Sequence, residues 1–222
     1  MAAVNTRVNP GRTDYDAFEV QIDKRYSSSY RFRLSYTLSS SRGNTSGDGV
    51  PASNFQLLDD MRLDLNGGPT NFDRRHNFVF SGAAIIPRTG GLTLSTVVRA
   101  LSGLAFTVQD TNVDPDRNGI LFDPLPAGSY SGTGPNAFSV DDKGGRNGAR
   151  GPGFFQADVR LGYQFRLGPR RLELFGEVFN LTNRANFDNP TGDRRSTNFL
   201  ILTDLKAGAI PRTGQIGARF VF

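Results

Sequence analysis

Cysteine is absent from the 222 residues, so neither a disulfide framework nor thiol chemistry is available. Tryptophan is absent too, and histidine occurs once, at His76. One histidine gives no support to a His-based metal site or a Ser-His-Asp arrangement. No run of about 18 apolar residues occurs, which excludes a transmembrane helix. Residues 1–7 contain no apolar core, so they do not form a secretory signal, and any export signal is expected to lie outside this chain. No acid–base pair, nucleophile or metal cluster stands out. The expectation is a protein that is not an enzyme, with no catalytic residue, cofactor or metal.

What is present is alternation. From Gly214 to Phe222 the even positions read Gly, Ile, Ala, Phe, Phe, and the odd ones Gln, Gly, Arg, Val. Side chains alternate across a strand, so this segment has one apolar and one mostly polar face. The pattern recurs over 15–25, 29–39, 75–86, 91–109, 155–165, 171–181 and 212–222. The apolar runs of this phase, such as Phe18, Val20 and Ile22 in the first segment, Tyr30, Phe32, Leu34, Tyr36 and Leu38 in the second, and the even positions from Gly214 to Phe222 in the last, carry no charge. The opposite phase holds Glu19, Asp23, Arg31, Arg33, Arg99, Asp158, Arg160, Glu173, Glu177 and Arg219. An Arg or Lys facing lipid near the bilayer midplane costs roughly 2–4 kcal/mol, whereas a polar lumen imposes no such cost. The mean hydropathy of −0.38 and hydrophobic content of 37% look soluble, but only alternate residues of a barrel strand meet lipid.

The connections alternate in length. Short links fall near Tyr26–Ser28, Pro87–Gly90 and Leu167–Arg170, with the Gly and Pro chemistry of tight turns. Long Gly-, Asn- and Asp-rich stretches cover 40–73, 110–154 and 182–210. Outer-membrane barrels pair short periplasmic turns with long extracellular loops. The predicted fold is therefore all-β, an antiparallel up-and-down transmembrane barrel wall over 1–222. If the last strand ends in the periplasm, residues 1–14 lie outside. An odd count of seven strands then predicts part of a larger barrel, cut within an extracellular loop.

Several stretches carry a family resemblance. Tyr15–Arg25 followed by Leu34–Ser39, then Asp73–Phe78, Phe175–Asn183 and Gly214–Phe222, resemble the end of TonB-dependent outer-membrane receptors. The closest likeness is to the Oar-like subgroup, which carries a carboxypeptidase-regulatory-like domain before the plug. The resemblance implies a bacterial outer-membrane location and a 22-stranded barrel with a plug, moving a bulky ligand inward with energy relayed by TonB. This chain shows no plug, no TonB box and about a third of the strands. Ile216, Phe220 and Phe222 look like the carboxy-terminal signal read by the barrel-assembly machinery, through strand addition to an open edge. The partners implied are outer-membrane lipid and lipopolysaccharide, that machinery, and the remainder of the receptor.

Local motifs admit other readings. Asp114-Pro-Asp-Arg-Asn-Gly119 matches the first half of a calcium loop, but position twelve is Leu125 where a bidentate Glu is needed. An Asp/Asn/Gly turn is the simpler reading. Arg74, Arg75 and His76 read as a solvated charge run at the barrel rim, with lipopolysaccharide phosphate as the alternative contact. The Gly-rich run 144–153 is similar to an RNA-binding tract, yet it is short and lies between strands, so a flexible loop is expected. A net charge of +5 and a pI near 9.9 fit a basic surface without a specific partner. Tyr30, Tyr36, Tyr163 and Phe165 sit where an aromatic girdle would. The alternatives are a small self-contained barrel serving as an adhesin or structural protein, and a soluble basic β-sandwich binding nucleic acid.

Overall fold

The computed structural model describes residues 11–26, 29–44 and 62–222. Most of residues 1–14, the centre of the first tight turn and the middle of the first long loop lie outside the described residues. Seven long strands form one antiparallel sheet: β1 Thr13–Lys24, β2 Tyr30–Gly43, β3 His76–Ile85, β4 Leu92–Leu101, β5 Phe154–Leu167, β6 Arg170–Phe179 and β7 Thr213–Val221. Each pairs with its sequence neighbour, in the order β1-β2-β3-β4-β5-β6-β7. This is the up-and-down path that short turns and returning loops dictate. The sheet stays open, because neither β1 nor β7 has a second neighbour among the described residues.

Register carries the amphipathic pattern across the whole sheet. Tyr30, Ala84, Leu94, Leu161, Gly176 and Ile216 fall in one cross-strand row. Ile22, Leu34, Phe80, Val98 and Ala157 fall in another. The row between these apolar rows on the other face reads Arg31, Ala83, Ser95, Arg160, Glu177 and Gln215. A slip of one residue in any strand would exchange the two faces. Apolar side chains on the uncharged face are open to the surroundings: Leu161 is 50% exposed and Ile216 is 92% exposed. Among the described residues no second sheet covers them, so the sandwich reading is overturned.

The tight turns follow their sequence. Leu167 pairs with Arg170, leaving Gly168-Pro169 as a two-residue loop. Gly168 has φ +66, the positive first position of a type II′ turn, and Pro supplies the negative φ that must follow. At the β3–β4 turn the Thr89 hydroxyl donates to the Ile86 carbonyl at 2.7 Å and accepts from the Leu92 N–H at 3.2 Å.

The buried core lies elsewhere. Phe106, Val108, Val140, Ala149 and Leu200 form the buried cluster, with Leu125, Tyr130, Phe138 and Phe199 packed against it. All of these belong to the long connections. The fourth strand, expected over 91–109, stops at Leu101. Gly103 then packs against Gly151 so closely that a Cβ would strike its carbonyl. Phe106 and Val108, assigned by their parity to the lipid phase, are instead buried in this second layer. The described parts of the long loops thus form one folded cap at the end of the sheet opposite the tight turns.

Replacing Leu161 by Arg puts a charge in the apolar row and is expected to destabilise the membrane-inserted form by about 2–4 kcal/mol. Ser35→Arg, on the polar face, is expected to cost under about 0.5 kcal/mol. Urea unfolding in lipid vesicles measures both, and equal losses would show that the two faces are not solvated differently.

Candidate functional site

Two regions carry chemistry: the polar face of the sheet and the cap. On the polar face, Arg160 projects from β5 between two carboxylates of β6. Its guanidinium lies 2.8 Å from Glu173 and 3.1 Å from Glu177. Gln215 on β7 extends the ladder by donating to Glu177. The same guanidinium sits 3.8 Å from the ring centroid of Phe175. That ring lies against Gly217 of the edge strand, where a Cβ would strike it, so the aromatic covers a glycine its neighbour leaves bare. Arg33 and Asp23 form a second pair at 2.7 Å across β1 and β2. These half-exposed pairs fix strand register more than they add stability. The charges face one side, as a water-filled interior requires.

Asparagines join the cap to the strand ends. Asn180, at φ +48, is buried where the chain leaves β6. Its amide donates to the carbonyls of Arg184 at 3.0 Å and Ile210 at 2.9 Å, and its oxygen accepts from the Arg184 N–H at 3.2 Å. Its own N–H donates to Asp158 of β5 at 2.8 Å. Asn186 pairs its amide with both the N–H and the carbonyl of Phe155, at 2.8 and 3.0 Å, and so acts as a rung of ladder at the top of β5. Asn147 reaches Pro69 and Asn71, which ties the Gly-rich run to the first long loop. That run, expected to be a flexible loop, holds Arg146 and Asn147 in buried positions.

The Asp114–Gly119 segment does form the expected turn. Asp114 accepts from the N–H groups of Asn118 at 3.0 Å and Gly119 at 2.9 Å. Asp123, two places before the position inspected for a ligand, closes onto it. Carboxylate oxygens of Asp114, Asp116 and Asp123 lie within 4.8 Å of one another, and this trio could hold a divalent cation. One oxygen of Asp123 is shielded without a hydrogen-bond donor. Burial, then the charges of Asp116 and Asp114, push the Asp123 carboxyl above the usual range. Hydrogen bonds from the backbone, chiefly Gly119, hold that of Asp114 below it. Elsewhere in the cap, burial and the positive charge of Arg74 depress the Lys206 ammonium, which donates to the Pro152 carbonyl at 2.6 Å.

The predicted signal residues line the outer edge of β7 and its end. Ile216, Phe220 and Phe222 are exposed, and the two phenylalanine rings are 6.4 Å apart. Tyr30, Tyr163 and Phe165 stand toward the tight-turn end, with Lys24 4.1 Å over the Tyr30 ring and Tyr163 4.7 Å from Phe165. Tyr36 is further along β2, and its hydroxyl meets His76 Nδ1 at 2.9 Å. His76 contacts no carboxylate among the described residues. The hydrophobic centre of the cap was missed by sequence reasoning. The alternation runs on past Leu101 through Leu104, Phe106 and Val108, so it gave no signal of this second layer.

A family model described as an outer membrane beta barrel domain matches residues 1–215. No curated protein and no solved structure matches the chain.

Two outcomes follow from this geometry. Asn180→Ala leaves several buried backbone groups without partners, each worth about 1–3 kcal/mol, and is expected to lower the urea midpoint of the refolded protein clearly. Unchanged unfolding would show that Asn180 does not hold the strand exit. For Asp123, the folded-state value lies above the unfolded one, so the folded cap takes up a proton as pH falls. Its stability then rises from neutral pH down through the raised value and stops gaining below about 3.9. Asp123→Asn is therefore expected to slow hydrogen exchange across residues 108–125 at pH 7 in divalent-free buffer. The difference from wild type should shrink as pH falls, and a difference independent of pH would remove this assignment.

Proposed function

The chain belongs to the outer membrane beta barrel domain family and so to the bacterial outer membrane, and on that premise we propose that it forms part of the wall and outer cap of a ligand-uptake receptor. The observation that carries this reading is the open sheet, with two long edge strands in a wall whose other strands are all paired. Unpaired backbone groups cannot remain in hydrocarbon, so both edges must be paired in the membrane, and in this reading further strands meet β1 and β7. The resemblance of Phe175–Asn183 and Gly214–Phe222 to TonB-dependent receptors supports a large barrel with a plug as the source of those strands. The charged inner face offers an aqueous path, and the folded cap offers a selective outer surface. The role is non-enzymatic. Ile216, Phe220 and Phe222 stand ready for recognition by the barrel-assembly machinery, since they project from an edge strand with a free hydrogen-bonding side.

The absence of cysteine makes the test direct. Single-thiol variants Leu94→Cys and Ser95→Cys carry a fluorophore on opposite faces of β4. In vesicles, brominated lipid is expected to quench the first and aqueous iodide the second; quenching of both by iodide alone would sink the membrane wall. The larger barrel is tested with the pair Gln21→Cys and Gln215→Cys, on the outermost strands. No disulfide is expected between them in native membranes, whereas ready cross-linking would favour a small self-contained barrel. Deleting Phe222 is expected to reduce assembly into the outer membrane, as read by the folded fraction on unheated gels.

A further inference from the structure

We infer that the cap holds a binding site for a phosphate-type polyanion, in a basic cleft where it meets the ends of β2 and β3. The cleft has a volume of about 530 Å³, within the range of small-molecule sites. Five cations line it: Arg42, Arg75, Lys143, Arg146 and Arg150. Two acids are present, and both are engaged. Asp73 is buried and pairs with Arg150 while accepting from the Ser41 N–H at 2.7 Å. Asp141 accepts from the Ser129 hydroxyl. Asp14, which stands opposite Arg42 in the ladder, is taken by Arg12.

Arg42, Arg75 and Lys143 are left exposed, with no carboxylate in ion-pair range among the described residues. Arg146 adds a buried positive charge whose guanidinium also reaches the Asn66 carbonyl. Like charges gathered around one cleft repel, and a bound anion of two or more charges relieves that repulsion. The walls suit such a ligand. Gly67, Gly103, Gly144 and Gly148 line it with backbone rather than side chain, which leaves room for an anion to approach the guanidinium forks. Arginine forks match phosphate oxygens in pairs, and three arginines with unequal burial can grip more than one oxygen at once. The cleft is formed by the folded cap and holds whether or not the wall transports anything. The same chemistry is found in a lipid headgroup and in a soluble phosphate ester.

The test titrates the refolded full chain, in zwitterionic detergent free of phosphate, with inorganic pyrophosphate by calorimetry. Saturable binding is expected, weakened at least tenfold in Arg75→Gln/Lys143→Gln. It should be unchanged in Arg31→Gln/Arg219→Gln, which removes equal charge from the strands' polar face. The charge-preserving pair Arg75→Lys/Lys143→Arg should retain binding and controls for folding. In a second arm the protein is placed in phosphatidylcholine vesicles with or without diphosphorylated lipid A, and proteolysis of the cap is followed. Protection by lipid A that pyrophosphate reverses assigns the site to a lipid headgroup; binding of pyrophosphate with no effect of lipid A assigns it to a soluble anion. No saturable binding in either arm, or binding that Arg75→Gln/Lys143→Gln leaves intact, overturns the site.

Discussion

Everything in this molecule depends on register. Seven strands, each with its own alternating pattern, are paired so that the apolar runs of neighbouring strands meet across the ladder on one face. Arg160 meets Ser95 and Glu177, never Leu94 or Gly176. A slip of one residue in β5 would turn Asp158 and Arg160 toward lipid, and one in β6 would turn Glu173 and Glu177. At roughly 2–4 kcal/mol for a lipid-facing arginine, and less for each acid, that alternative is excluded many times over. The polar ladder of Arg160, Glu177 and Gln215 therefore specifies more than it stabilises, because its pairs are part-exposed and screened.

With the faces assigned in this way, the sheet cannot supply an ordinary core. One face is lined by charges and the other by lipid. The close packing typical of a protein interior is found in the cap, where segments from the long connections stitch together. The Phe138 N–H donates to the Leu200 carbonyl, and the Leu125 N–H to that of Val108. Chains without regular ladders leave many buried backbone groups, and these need partners. The buried asparagines supply them, since one amide offers both donor and acceptor. Glycines let the backbones come close enough: a Cβ at Gly132 would strike Leu200, and one at Gly192 would strike Thr107. The same packing draws basic residues of two long connections and the end of β2 around one cleft.

This explains what the sequence revealed and what it concealed. Strand identity and facing were readable because period-two alternation is local, and most boundaries fell within two residues of the structure. The end of β4 was not readable. Leu104, Phe106 and Val108 keep the parity of Leu92 and Val98, so alternation alone cannot distinguish lipid from a protein interior. The chain leaves the sheet at Gly103 because of Gly151, a contact far away in sequence. Glycine in the 144–153 run signalled freedom when read alone, yet in the fold it permits close approach. Asp123 was overlooked for a similar reason. A fixed twelve-residue spacing points at Leu125, whereas the folded turn brings a different acid to Asp114.

The open edges carry the last step. β1 and β7 span 12 and 9 residues, and each is paired along one side only. Half of their N–H and carbonyl groups point away from the sheet. In water such an edge invites aggregation, and Ile216 and Phe220 beside it would strengthen that tendency. In hydrocarbon each unpaired group costs several kcal/mol, which over two edges exceeds the whole stability of a typical domain. A wall with this register can exist in a bilayer only when both edges are paired. The completion of the barrel is thus a requirement of backbone hydrogen bonding in lipid, and it stands apart from any likeness to known receptors.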